Sequence, residues 1–259
     1  KGTPAAPLPG TNAILCRGLT PQPIKGKFVE RNLIKGSKGN QGALFTSEHR
    51  EFDFEVELAG SGAAGTAPKF GVLLKGCDMS ETITAATSVV YQPHGTLGDY
   101  LTLFAYMDGV LFKMSDAKGT ASFGLNAEEI PVMKYTAIGK YVAMTDTALP
   151  GGAVFTNTAD PFTVGKVNTP TFTIHGAQVK LSSFSLDWGN QLVWRDMPNF
   201  QGVVCNDRMP TARAVFELDT VATKNWVEIR RVGTEGALAI VHGIGGGKIV
   251  QIDAPKLVM

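Results

Sequence analysis

Four histidines, His49, His94, His175 and His242, and three cysteines, Cys16, Cys77 and Cys205, are the side chains of this 259-residue chain best suited to metal ligation or nucleophilic chemistry. Their spacing supports neither. The cysteines form no CxxC pair and no Cys/His cluster with zinc spacing, and the histidines build no HExxH. No GxSxG elbow presents a serine for acyl transfer. Residues 243–248 have the glycine content of a phosphate loop, but that motif needs Gly where His242 stands and Ser or Thr where Ile249 stands, so the segment reads as a hairpin turn. Glu128 and Glu129 are adjacent, and neighbours on an extended chain point to opposite faces, away from a common substrate. They read as a loop. The expectation is structural histidines, free thiols, no catalytic residue, no metal and no cofactor.

The elements that would carry any site follow from composition and pattern. Hydrophobic residues make up 44% of the chain and charged residues 18%, which is enough apolar material for a folded core and excludes disorder. A formal net charge of +1 gives no general attraction to phosphates or anionic lipid, so coating DNA is excluded as a role. The odd cysteine count without a disulfide framework points to folding in a reducing cytoplasm. No apolar run reaches the roughly 18 residues of a membrane span, and the N-terminus lacks the order of a signal peptide.

Pro4, Pro7, Pro9, Pro21 and Pro23 mark an irregular N-terminal arm. At 50–58 the pattern sharpens: Phe52, Phe54, Val56 and Leu58 alternate with Glu51, Asp53, Glu55 and Glu57, which predicts a half-buried strand. Glycine-rich 59–65 leads to Thr66, a candidate N-cap, and a helix carrying Phe70, Leu73, Leu74 and Cys77 on one face and ending near Gly76. Strands are predicted at 89–91, 100–107, 110–114, 120–125 and 132–142, with Asp108-Gly109 as a hairpin turn. A loop region spans 143–170. Beyond it come strands at 172–175, 179–186 and 192–194, then 213–218, with Ala214, Phe216 and Leu218 on one face and Val215, Glu217 and Asp219 on the other. Thr223 is read as the cap of a helix with Trp226, Ile229 and Arg230, followed by a hairpin of 237–242 and 248–252. Strand, helix and hairpin thus occur twice in order, which suggests two β modules.

The run Phe54-Glu55-Val56-Glu57-Leu58-Ala59-Gly60-Ser61-Gly62, the segment 68–77, Met107-Asp108-Gly109-Val110-Leu111, and 119–141 with Glu129-Ile130-Pro131 resemble the major tail tube proteins of siphophages, over roughly 30–150. The resemblance implies a mainly β fold of two tandem β-sandwich or barrel tube modules, each flanked by a short α-helix, similar to the type VI secretion tube protein. The division it suggests is an extended arm at 1–30, a first tube module at 31–150, a linker at 151–170 and a second tube module at 171–259. The implied function is a non-enzymatic virion protein of the tail, made in the host cytoplasm. It would self-assemble into rings, with three chains of pseudo-sixfold symmetry favoured and a hexamer as the alternative, and stack them into a conduit. The implied partners are the tape measure protein in the lumen and the tail terminator and distal tail proteins, with transient passage of DNA and no membrane. A distal tail or head-tail joining ring is the nearest alternative. A carbohydrate-binding module using Trp188, Trp194 and Trp226 as sugar platforms is a third.

A conduit must hold DNA without sticking to it, so its wall should be acidic or neutral. The expected lumen face is Glu51, Asp53, Glu55 and Glu57, with Glu217 and Asp219 at the matching strand of the second module. Carboxylates that close repel one another, so this face should need water or a cation from a neighbouring subunit. The arm and the 143–170 connection, poor in periodic apolar residues, should be ordered mainly by neighbouring subunits.

Overall fold

From its N-terminus the chain forms a single helical turn α1 (Pro9–Asn12) and two strands, β1 (Arg17–Pro21) and β2 (Lys25–Glu30), both antiparallel to the long strand β3 (Ala43–Glu57) that carries the acidic alternation. The structure, a computed structural model, describes residues 4–259 except Lys35, Ser37, Lys38, Asn40, Thr96, Leu97, Thr156 and Asn157. After β3 come helix α2 (Gly71–Gly76), hairpin strands β4 (Met79–Thr84) and β5 (Ser88–Pro93), and then β6 (Leu101–Met107), β7 (Val110–Asn126) and β8 (Val132–Asp146). The rest of the chain forms β9 (Thr171–Ile174), β10 (Ala177–Gln178), β11 (Lys180–Asp187), β12 (Asn190–Met197), β13 (Phe200–Arg208), β14 (Thr211–Glu217), helix α3 (Trp226–Val232), β15 (Gly236–His242) and β16 (Val250–Leu257). Strands hold 52% of the described residues and helices 7%, so the fold is mainly β, with several sheets and few short helices.

One eight-stranded sheet runs β1-β3-β8-β7-β11-β14, with β2 added to the outer half of β3 and β6 to the first half of β7. A four-stranded sheet, β10-β9-β15-β16, and the hairpins β4-β5 and β12-β13 complete the fold. Two apolar clusters result. Phe52, Phe54, Val56 and Leu58 pack beneath α2, whose Phe70, Leu73, Leu74 and Cys77 are all buried as their spacing predicts, together with Met114, Met133 and Tyr135. The second cluster gathers Phe172, Ile174, Phe184, Trp226, Leu238 and Ile240 around Leu125 of β7. β7 therefore enters both clusters, and through its pairing with β11 a single sheet spans both halves of the chain.

Several expected details come out differently. Residues 110–114 and 120–125 belong to one strand, because β7 absorbs two register slips against β8, after Leu111 and after Ser115, and continues. α2 starts five residues beyond Thr66, since Gly65 takes a positive φ and the backbone N–H of Gly71 bonds to the Pro68 carbonyl, closing a turn first. α3 is capped by Asn225, whose Oδ1 accepts from the Glu228 N–H, while the Thr223 hydroxyl is engaged with Thr220. The Asp108-Gly109 turn is as expected: both residues have positive φ and join Met107 to Val110.

The described residues of the arm and the connection bond to their own chain. β1 and β2 both pair with β3. In the connection, Val164 is buried and exchanges backbone bonds with Glu128 and Glu129, Ala159 bonds to Gly60, and Val154 bonds to Pro9. The described residues of both segments thus find backbone partners within their own chain. What short periodicity concealed is that one or two anchored side chains suffice when the backbone has a strand edge or loop to bond to.

Candidate assembly surface

The candidate catalytic residues are dispersed. His49 stacks on Trp194 at 5.4 Å, and His242 is buried between the Thr169 hydroxyl at 2.9 Å and the Phe162 carbonyl at 3.1 Å. Cys77 is fully buried, and burial pushes its thiol far above the ordinary range. All three cysteines are free thiols. Among the described residues no group of three or more His, Cys, Asp or Glu side chains could hold a metal ion. No helix among them is long and apolar enough to cross a membrane. Glu128 and Glu129 lie in the turn between β7 and β8, and residues 243–248 form the β15–β16 turn, where Gly247 lies against Ala63 so closely that a Cβ would fall 2.4 Å from the Ala63 nitrogen. A groove of about 330 Å³ is lined by Asn126, Ser183, Phe184, Ser185, Arg213 and Val215. Its lining comes from β7, β11 and β14.

The acidic face of β3 is real, but it is not isolated. Glu51, Asp53, Glu55 and Glu57 lie on one side of the strand, opposite buried Phe52, Phe54 and Val56. The neighbouring strands supply their counter-charges: Lys25 of β2 contacts Glu51, Arg17 of β1 reaches Glu55 at 3.0 Å, and Lys134 of β8 reaches the same carboxylate at 3.4 Å. The Thr136 hydroxyl donates to Asp53 at 2.7 Å. Glu57 is exposed at the strand's end. Where water or a cation from a neighbouring subunit was expected, cations of the same chain meet this face, and sequence patterning missed them because they sit on strands distant in sequence. Three cations against four carboxylates leave the face close to neutral.

Glu217 and Asp219 do not join this set. β14 ends the eight-stranded path, and β8, β7 and β11 separate it from β3. Glu217 pairs with Lys180 at 3.3 Å, both side chains being largely in solvent, and Asp219 is exposed. An ion pair this exposed contributes little to stability. Around it Val215, Leu218 and Val221 are exposed, the latter two by 71% and 72%.

At the other end of the sheet, β2 and residues 43–46 of β3 form a two-stranded ribbon whose described side chains are all exposed. Every residue of β2 is exposed. Phe28 stands opposite Phe45 with ring centroids 5.0 Å apart, and Val29 stands opposite Leu44. The Phe45 ring lies over Gly26, where a Cβ would meet its Cζ at 2.4 Å, so only glycine lets the ring lie flat. Phe28 is 66% exposed and Leu44 61%. An isolated hairpin is marginal in water, and a contiguous apolar ribbon exposed to it marks an interaction surface.

Fold and surface together define a mainly β protein whose distinctive chemistry lies at its sheet edges. No known protein-family model matches the chain, and no curated protein matches it.

Proposed function

We propose that this chain is a structural, non-enzymatic subunit of the tail tube of a long-tailed bacteriophage, assembling into rings that stack into the conduit for the genome. The observation that carries the proposal is the pair of unlike open edges at the two ends of one sheet. The β1/β2 end presents Lys25, Lys27 and the apolar ribbon; the β14 end presents Glu217, Asp219, Leu218 and Val221. Unpaired strand edges are normally blunted or covered, and unlike edges that meet between successive copies make a head-to-tail contact, which closes into a ring when the rotation allows. The second copy of the chain is the occupant that Lys27 on one edge and Asp219 on the other favour, Lys25 and Glu217 being paired with Glu51 and Lys180 within the chain.

The near-neutral polar face of β3 suits a lumen wall, because an excess of lysine and arginine there would retain phosphates. In the virion the partners would be the tape measure protein in the lumen and the terminator and distal tail proteins at the ends. The sugar-platform alternative loses support, since Trp226 is buried, Trp188 donates to the Cys77 carbonyl at 3.1 Å and carries Arg208 over its ring, and Trp194 is covered by His49. Electron microscopy of the purified protein is the test. Long tubes support the proposal, single closed rings shift it to a distal tail or joining ring, and monomers at high concentration overturn assembly altogether.

A further inference from the structure

At the heart of the first cluster lies a charged pair that neither assembly nor a conduit explains. Lys118 is fully buried and Asp78 is 4% exposed, and the ammonium nitrogen is in direct contact with Asp78 Oδ1. A buried ion pair is a poor device for stability, because the desolvation of both charges offsets their attraction. The surroundings are arranged for more than attraction. The Gly98 N–H donates to Asp78 Oδ1 at 2.6 Å, while the Gly98 carbonyl accepts from Lys118 Nζ at 2.8 Å, so the two peptide groups that flank one glycine grip both reacting groups. A Cβ at Gly98 would lie 2.9 Å from Asp78 Oδ1, which makes glycine the residue that permits this grip. The Tyr100 ring lies 4.7 Å from Nζ and helps close the site from water. Arg208 holds the Asp78 backbone carbonyl at 3.0 Å, and Asp78 itself takes a positive φ, so its side chain is held toward β7 at some backbone cost.

We propose that Lys118 and Asp78 condense to an intramolecular isopeptide bond. In the proposed step the ammonium passes a proton to the carboxylate, leaving an amine beside a carboxylic acid. Nζ then attacks Cγ, and the Gly98 N–H stabilises the negative charge that develops on Oδ1. Collapse of the tetrahedral intermediate breaks the C–O bond and releases water, the hydroxyl leaving with a proton from nitrogen. Atoms balance with no oxidant, reductant or co-reactant. Proximity supplies the drive: amine and carboxyl are held in contact by a folded core, where effective concentrations far exceed those of free groups. The bond would join positions 40 residues apart, tying the end of α2 to β7 as a disulfide would, but without sensitivity to reduction.

Intact mass spectrometry of the purified full chain under denaturing conditions tests this directly. The expected mass is one water below that of the sequence, and a protease digest should contain a branched peptide joining residue 78 to residue 118. Asp78→Ala and Lys118→Arg should restore the full mass and lose the branched peptide, and both readings survive denaturation, so a poorly folding variant does not obscure them. A wild-type chain at its full sequence mass, or a water loss that maps elsewhere, overturns the proposal and leaves an ion pair only.

Discussion

Arg50 shows how a buried charge can be held without a counter-ion. Its guanidinium is fully buried and donates to the carbonyls of Pro23 through Nε and Nη2, of Lys113 at 2.7 Å and of Val142 at 3.2 Å, with the Tyr141 ring 4.7 Å away. It thereby fastens the chain between β1 and β2 to β7 and β8. Arg50→Met should cost about 3 kcal/mol or more in urea unfolding, since three carbonyls lose a charged donor, and amide exchange in β2 should accelerate. Arg50→Lys should recover little, because one ammonium cannot span the same carbonyls. His242 makes a second prediction. A carbonyl can only accept, so Nε2 carries the proton toward Phe162 and Nδ1 accepts from Thr169; the ring is buried neutral, and burial lowers its pKa from 6.5. The unfolded chain therefore binds the proton first as pH falls. Stability is fully present above the unfolded value and is lost as pH drops from about 6.5 through the lower folded value. The urea midpoint should fall between pH 7.5 and pH 5, and His242→Gln should flatten that fall.

Among the elements, the β2–β3 ribbon carries the clearest expectation. Phe28→Ser with Leu44→Ser removes exposed apolar surface whose cross-strand neighbours, Phe45 and Val29, belong to the same ribbon, so the melting temperature should change by no more than a few degrees, as for surface substitutions. Ring and tube formation should be abolished, as read by sedimentation and negative-stain microscopy. Unchanged assembly would remove the ribbon from the interface. The ribbon was not legible in the sequence: Lys25 to Glu30 has no alternation to reveal a strand, and its partner lies beyond a stretch of sequence rich in glycine and lysine. β3 and α2 were legible because each buries a face against one core, so period and burial coincide. The hairpins β4-β5 and β12-β13 were seen only in part; in β4, Ser80, Glu81, Thr82 and Thr84 are polar on both faces and give no apolar alternation to mark the strand. The acidic face was legible, while its partners Arg17, Lys25 and Lys134 were not, since register between distant strands leaves no local trace.

For the whole molecule, the two unlike edges make a charge-exchange experiment possible. Glu217→Lys with Asp219→Lys should block assembly, and adding Lys27→Glu to the same chain should restore it in part, a rescue that general misfolding would not show. A cryo-EM map of assembled material would count chains per ring; three supports two modules contributing from each chain, and six complete chains would overturn that arithmetic. DNA passage offers a separate reading: Glu57→Lys, at an exposed end of the acidic face, should leave tubes intact while making ejection slower and salt-dependent. The continuity of the sheet has a mechanical corollary. In a ring joined through β1/β2 and β14, internal pressure becomes hoop tension that runs across the strands, and every ladder from β14 to β3 carries the same load, which β1 and β2 then share. The long β7–β8 ladder spreads it over most of two strands, whereas β1 meets β3 through a short and interrupted register, Arg17 to Glu55 and then Thr20 and Pro21 to Asp53 and Phe52. A ring pulled to failure should therefore part at β1 while both cores are still folded.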